Sequence, residues 1–198
     1  KGALFNTPAV ELGAMAISST LEQTGVDGSM VDEVIMGNVL SAGIGQHPAR
    51  QSALKSGIPA EIPALTINKM CGSGLKAVML GDQAIKADGA GIIIAGGIES
   101  MSNAPYLSFA MRRGARLGEV LSIDSMIHDG LLDPYGEKHM GVFGEKCASK
   151  FDFSRQMQDE YAMGSYERAL NAQSKGYFDE EIIKVSVPGR KNEKIEIS

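Results

Sequence analysis

The chain has no tryptophan, few aromatics of any kind (6%) and only two cysteines in 198 residues. With so little aromatic volume, its core must be built from Ala, Val, Ile, Leu and the 11 Met. Cys71 and Cys147 lie far apart, and two such thiols make no disulfide framework. No CxxC or His-Cys cluster predicts zinc, and the three His have no ligand spacing, so no metal is expected. A reducing compartment such as the cytoplasm is the simpler setting for free thiols. The formal net charge of -5 leaves no footprint for nucleic acid and no attraction to an anionic membrane. Long hydrophobic runs are missing too: none approaches a membrane span, and residues 1–20 lack the plan of a signal peptide. Lys1 has no Met before it, so the chain reads as part of a longer protein whose leader, if any, would precede it.

What is present is 43% hydrophobic residues punctuated by 24 Gly, a composition suited to a layered α/β fold. Thr7-Pro8 reads as an N-cap with Pro at the first helical position, and Gly25 as the stop. Val31–Met36 is a short strand ended by Gly37. Pro48 opens a helix closed by Gly57, and Ala64–Lys69 is the next strand. Met70-Cys71-Gly72-Ser73-Gly74 then passes into an amphipathic helix carrying Leu75, Val78, Met79 and Ile85. Ile92–Ala95 is a continuous apolar run, as in a strand covered on both faces, and Gly96-Gly97 reads as a tight turn after it. Strand and helix alternate as in βαβ units around a parallel sheet. From Glu99 to about His139 the pattern is irregular. Helical spacing returns at 140–150 and 155–175, with Ser154 as cap and Gly176 as stop. Val185–Val187 and Ile195–Ile197 predict a hairpin about Pro188-Gly189.

Cys71 stands where a strand runs directly into a helix. A thiol attacks as thiolate, and a helix N-terminus favours that form through its unpaired N–H groups. Gly72, Ser73 and Gly74 leave no bulky side chain in the approach, so a thioester can reach the sulfur. The Cys71 N–H can point at its carbonyl oxygen, where negative charge develops during acyl transfer. The competing reading of these residues alone is a buried, inert cysteine.

Four segments decide between them. Asn68-Lys69-Met70-Cys71-Gly72-Ser73-Gly74 resembles the segment around the acylated cysteine of the thiolase family. Ala95-Gly96-Gly97-Ile98-Glu99-Ser100-Met101-Ser102-Asn103-Ala104-Pro105 is similar to a second thiolase signature, His139-Met140-Gly141 to a third, and Gly45-Gln46-His47-Pro48-Ala49-Arg50-Gln51 to a fourth. They occur in the family's order, and similarity runs over nearly the whole chain. The resemblance implies a thiolase N-terminal domain over residues 1–198, a mixed five-stranded sheet between helices, with a loop insertion at about 100–185. Its first strand would lie ahead of Lys1 and its C-terminal domain outside this chain. The activity implied is condensation of two acetyl-CoA to acetoacetyl-CoA, or the reverse thiolysis, through acetyl-Cys71. The family's activating histidine and second cysteine belong to its C-terminal half. Their Cys-Gly-Gly-Gly and Gly-His-Pro signatures are absent here, so residues 1–198 alone should not turn over.

The resemblance also places His139, Met140 and Leu131 along the pantetheine and acyl pocket, with Met140 narrowing it for short substrates. It implies CoA thioesters as substrates, no further cofactor, and a homodimer or homotetramer. A degradative 3-ketoacyl-CoA thiolase is the alternative enzyme; a ketoacyl-carrier-protein synthase fits the Cys71 segment less well. A non-catalytic CoA-binding or assembly domain is the alternative of another class. Cys147, in Glu145-Lys146-Cys147-Ala148, does not match the second-cysteine motif and reads as core. His47 and His128 read as surface residues. Arg112, Arg113, Arg116 and the Gly189-Arg190-Lys191 segment read as solvated loops before phosphate sites.

Overall fold

The computed structural model describes residues 2–188 and 194–197. They form two compact units, residues 2–130 with 187–188 and 194–195, and residues 131–186 with 196–197. In the first unit, α1 (Ala9–Thr24) begins after Pro8 and ends at Gly25, whose φ of 68° is the left-handed turn the sequence signals. Pro8 itself is the cap residue, and no side chain caps α1. There follow β1 (Glu33–Gly37), α2 (Pro48–Lys55), β2 (Ala64–Ile67), α3 (Ser73–Lys86) and β3 (Ile93–Gly97).

The strands pair in the order β2-β1-β3, both pairings parallel. The α2 crossover steps from β1 to β2, and the α3 crossover steps back over β1 to β3. Right-handed connections running in opposite directions place their helices on opposite faces of the sheet. Side-chain parity agrees. Val34 and Met36 of β1 join Val10 and Ile17 of α1 and Ala49 and Ala53 of α2 in one apolar cluster. The opposite parity, Gly37 of β1 with Ile93 and Ala95 of β3, meets α3. Burying side chains such as Val34 and Ile17 contributes about 1.5–3 kcal/mol each. Because α3 covers β1 and β3, Leu65 of β2 stays 39% exposed. Leu75, Val78, Met79 and Ile85 on the outer side of α3 are exposed as well.

The α/β class is therefore as expected; of the mixed five strands implied, one of them ahead of Lys1, the main sheet among the described residues contains three, all parallel. The remaining strands pair only with one another: β4 (Tyr106–Leu107) with β5 (Ile123–Asp124), and β6 (Val185–Pro188) with β7 (Lys194–Ile197). Among the described residues, no antiparallel strand joins the main sheet. Residues 189–193, with the turn expected at Pro188-Gly189 and the Gly189-Arg190-Lys191 segment, lie outside the described residues. Residues 100–130, expected within the loop insertion, belong to the first unit. Asn103 Nδ2 donates to the carbonyls of Phe5 (3.0 Å) and Thr7 (3.2 Å), and Ser100 Oγ also donates to Thr7.

The second unit contains α4 (Met140–Lys150) and α5 (Arg155–Ser174). Ser154 Oγ accepts from the Met157 N–H as the predicted cap, and Gly176, at φ 69°, ends the segment. Neither helix fully buries a residue. Cys147 is exposed, which corrects the core reading: among the described residues no element buries any residue of α4.

Candidate active site

The turn between β2 and α3 is held by side chains on either side of Cys71. Asn68 Oδ1 accepts from the Met70 N–H at 2.9 Å, and Met70 takes a left-handed φ of 50°. Ser73, 5% exposed, closes the turn from the helix side. Its hydroxyl accepts from the Lys69 N–H at 2.8 Å and donates to the Met70 carbonyl at 2.6 Å. The Gly72 and Ser73 N–H groups bond back to Lys69 and Met70. Cys71 is left exposed at the apex and forms an isolated backbone bridge with Lys69.

This apex is set against the C-terminal edge of the sheet, where open parallel sheets place their ligands. A Cβ added at Gly37 would stand 2.5 Å from the Ser73 carbonyl carbon, and one at Gly97 would stand 3.3 Å from Gly74 Cα. Gly96 and Gly97 are thus the last two residues of β3, not a turn. The missing side chain of Gly97 lets the start of α3 approach, while a Cβ at Gly96 would meet Met36 at ordinary contact distance. The result is a cleft of about 230 Å³ beside Cys71, with Val39, Met70, Gly74, Gly97 and Glu99 in its walls. An exposed thiol beside a small open cleft is within reach of an incoming thioester.

The family model for the thiolase N-terminal domain matches residues 1–198, the whole chain. The chain belongs to the thiolase family. An acetyl-CoA acetyltransferase of Cupriavidus necator is 52% identical over 194 residues, 98% of this chain and 49% of that protein. One from Pseudomonas aeruginosa is 50% identical over 193 residues, with 98% and 49% covered. A probable acetyl-CoA acyltransferase of Staphylococcus aureus (strain COL) is 45% identical over 197 residues, with 100% and 50% covered. This thiolase chain therefore spans about half the length of the curated relatives it matches.

Within the second unit of the thiolase domain, the residues expected along the acyl pocket come together locally. Leu132 and His139 form an antiparallel bridge, which sets Leu131 and Met140 opposite one another at its end. His139 caps α4, its Nδ1 accepting from the Gly141 N–H at 3.2 Å, and Met140 is 43% exposed. Leu131 is half-buried. His47 is exposed and caps α2, while exposed His128 pairs with Asp129 at 2.6 Å. Arg112 and Arg113 are exposed, in a 3-10 segment lining a separate cleft with Phe109. Among the described residues, no three His, Cys, Asp or Glu converge as a metal site, and no helix is long and apolar enough to cross a membrane.

The scaffold around Cys71 has little signal in the sequence. In sequence Ser73 is a small residue two positions after Cys71; in the fold its hydroxyl ties the turn together. Glu99 carries one weak signal, an acidic residue two positions past the apolar strand that ends at Gly97, and Val39 carries none.

Proposed function

We propose that the protein containing this chain is an acyltransferase that makes acetoacetyl-CoA from two acetyl-CoA, or cleaves it, with Cys71 as the acyl carrier. The observation that supports this best is the exposed Cys71 at the apex of a braced strand-to-helix turn, opening into a cleft. The Cys71 sulfur attacks the thioester carbonyl carbon, the new C–S bond forms, and CoA leaves with the electrons of the old one. During attack the carbonyl oxygen gains negative charge, which the Cys71 N–H would stabilise. A second acetyl-CoA, deprotonated at its methyl, then attacks acetyl-Cys71, releasing the sulfur and forming acetoacetyl-CoA. Thiolysis is the same path reversed. The proton transfers fall to groups outside residues 1–198, as the thiolase resemblance implies.

In this reading, His139, Met140 and Leu131 line the pantetheine and acyl pocket. CoA thioesters are the substrates, no further cofactor is required, and the working form is a homodimer or homotetramer in the cytoplasm or another reducing compartment. The acyltransferase name of the Staphylococcus relative supports a second reading, a degradative thiolase acting on longer 3-ketoacyl-CoA.

The test is acetylation of the full-length enzyme. Incubation with acetyl-CoA should leave one acetyl group on Cys71, seen by peptide mass spectrometry. Cys71→Ser should lose nearly all turnover, because a hydroxyl is a far weaker acid than a thiol. Acetyl found only on Cys147, or only outside this chain, would sink the assignment.

A further inference from the structure

Glu99 lines the Cys71 cleft, yet the chemistry above gives it no part. Its carboxylate is fully engaged. Oε1 accepts from Asn38 Nδ2 at 2.9 Å and from the Leu40 N–H at 3.0 Å, and Oε2 accepts from the Val39 N–H at 2.9 Å. All three donors lie on consecutive residues where the chain leaves β1. Asn38 is 3% exposed, and its amide also donates to the Ile98 carbonyl at 3.1 Å. The carboxylate thus takes up backbone donors that have left the sheet ladder, and ties the exit of β1 to the exit of β3. With both oxygens occupied, Glu99 is poorly placed to act as a base on substrate. Val39, whose N–H it holds, stands in the same cleft as Cys71.

We infer that Glu99 is a positioning residue whose carboxylate holds Val39 as the wall against which the acyl thioester is oriented for attack by Cys71. This rests on the acyl-transfer reading above. Only an ionised carboxylate presents acceptors alone on both of its terminal atoms. In Glu99→Gln one terminal atom becomes an NH₂ donor. If the remaining oxygen keeps Asn38 and Leu40, two of the three contacts, the NH₂ faces the Val39 N–H. That is donor against donor, and Val39 must move. The substitution keeps the side-chain volume, so its effect falls on the cleft wall and not on packing.

The experiment uses the full-length enzyme as wild type, Glu99→Gln and Val39→Ala. Single-turnover acetylation of Cys71 is followed across a range of acetyl-CoA concentrations, beside alkylation of Cys71 by iodoacetamide, which needs no oriented thioester. Glu99→Gln should lower the limiting acetylation rate by about 10- to 100-fold, the scale on which small misplacements act. Its alkylation rate and half-saturating acetyl-CoA should stay within about twofold of wild type. Val39→Ala should move the same rate in the same direction. Wild-type acetylation by Glu99→Gln overturns the proposal. So does an equal loss of acetylation and alkylation, which would mean that Glu99 supports the Cys71 turn in general. Should Glu99→Gln fail to fold, unaltered acetylation by Val39→Ala overturns it instead. A wild-type enzyme that alkylates but never acetylates Cys71 refutes the acyl-transfer reading and this proposal together, a result distinct from the others.

Discussion

Gly37 and Ser73 are in backbone contact: a Cβ at Gly37 would lie 2.5 Å from the Ser73 carbonyl carbon and 2.6 Å from its Cβ. The last residue of β1 therefore fixes how closely the start of α3, and with it Cys71, approaches the sheet.

Gly37→Ala should accordingly both destabilise the protein and shift the turn that carries Cys71. Overpacking a core costs roughly 1–3 kcal/mol, and here the struck atoms are backbone, which cannot swing aside, so the upper end is expected. The checks are the urea midpoint of the full-length enzyme and its rate of Cys71 acetylation, both of which should fall. A variant matching wild type in both would show that the Gly37–Ser73 approach has slack.

A second expectation concerns acid. Asp32 accepts from the N–H groups of Ile92 (2.9 Å) and Gly91 (2.7 Å), closing the entrance of β3 onto the segment before β1. The Ile92 bond first and the Gly91 bond second hold its carboxyl below the ordinary value of 3.8, so the folded protein favours the ionised form more than the unfolded chain does. Stability from this source is fully present above the unfolded value and is lost as pH falls through the lowered folded value. Thermal melts of wild type and Asp32→Asn should differ by a constant amount from neutral pH to about pH 5 and converge below about pH 4. A gap that widens with acid would reverse the sign of the argument.

The third expectation is substrate length. If Met140 and Leu131 close the acyl pocket, each added methylene of a longer 3-ketoacyl-CoA must displace packed side chains, at roughly 1–3 kcal/mol. That is about one to two powers of ten in specificity. The full-length enzyme should prefer acetoacetyl-CoA to 3-ketohexanoyl-CoA and longer chains. Met140→Ala should narrow the preference, chiefly by improving the longer substrates. The measurement is kcat/KM for thiolysis over a chain-length series. Equal efficiency of the wild type on 3-ketodecanoyl-CoA would favour the degradative reading.

The sequence by itself determined what depends on neighbours along the chain. Gly25 and Gly176 stop their segments because glycine takes a left-handed φ without strain, and Ser154 starts α5 because its hydroxyl reaches an N–H three residues on. Cys71 was likewise readable at a strand-to-helix junction, since the apolar strand, the small turn residues and the amphipathic helix are contiguous. Tertiary structure alone decided the rest. The order β2-β1-β3 sets Gly37 beside Ser73 and Gly97 beside Gly74, so glycines that resemble turn residues became points of close approach. Glu99 meets Asn38, Val39 and Leu40 only because β1 and β3 run parallel and end side by side. Exposed Cys147 shows the same limit from the other side. Helical spacing marks a face, but burial needs a neighbouring element to cover it, and among the described residues none buries any residue of α4.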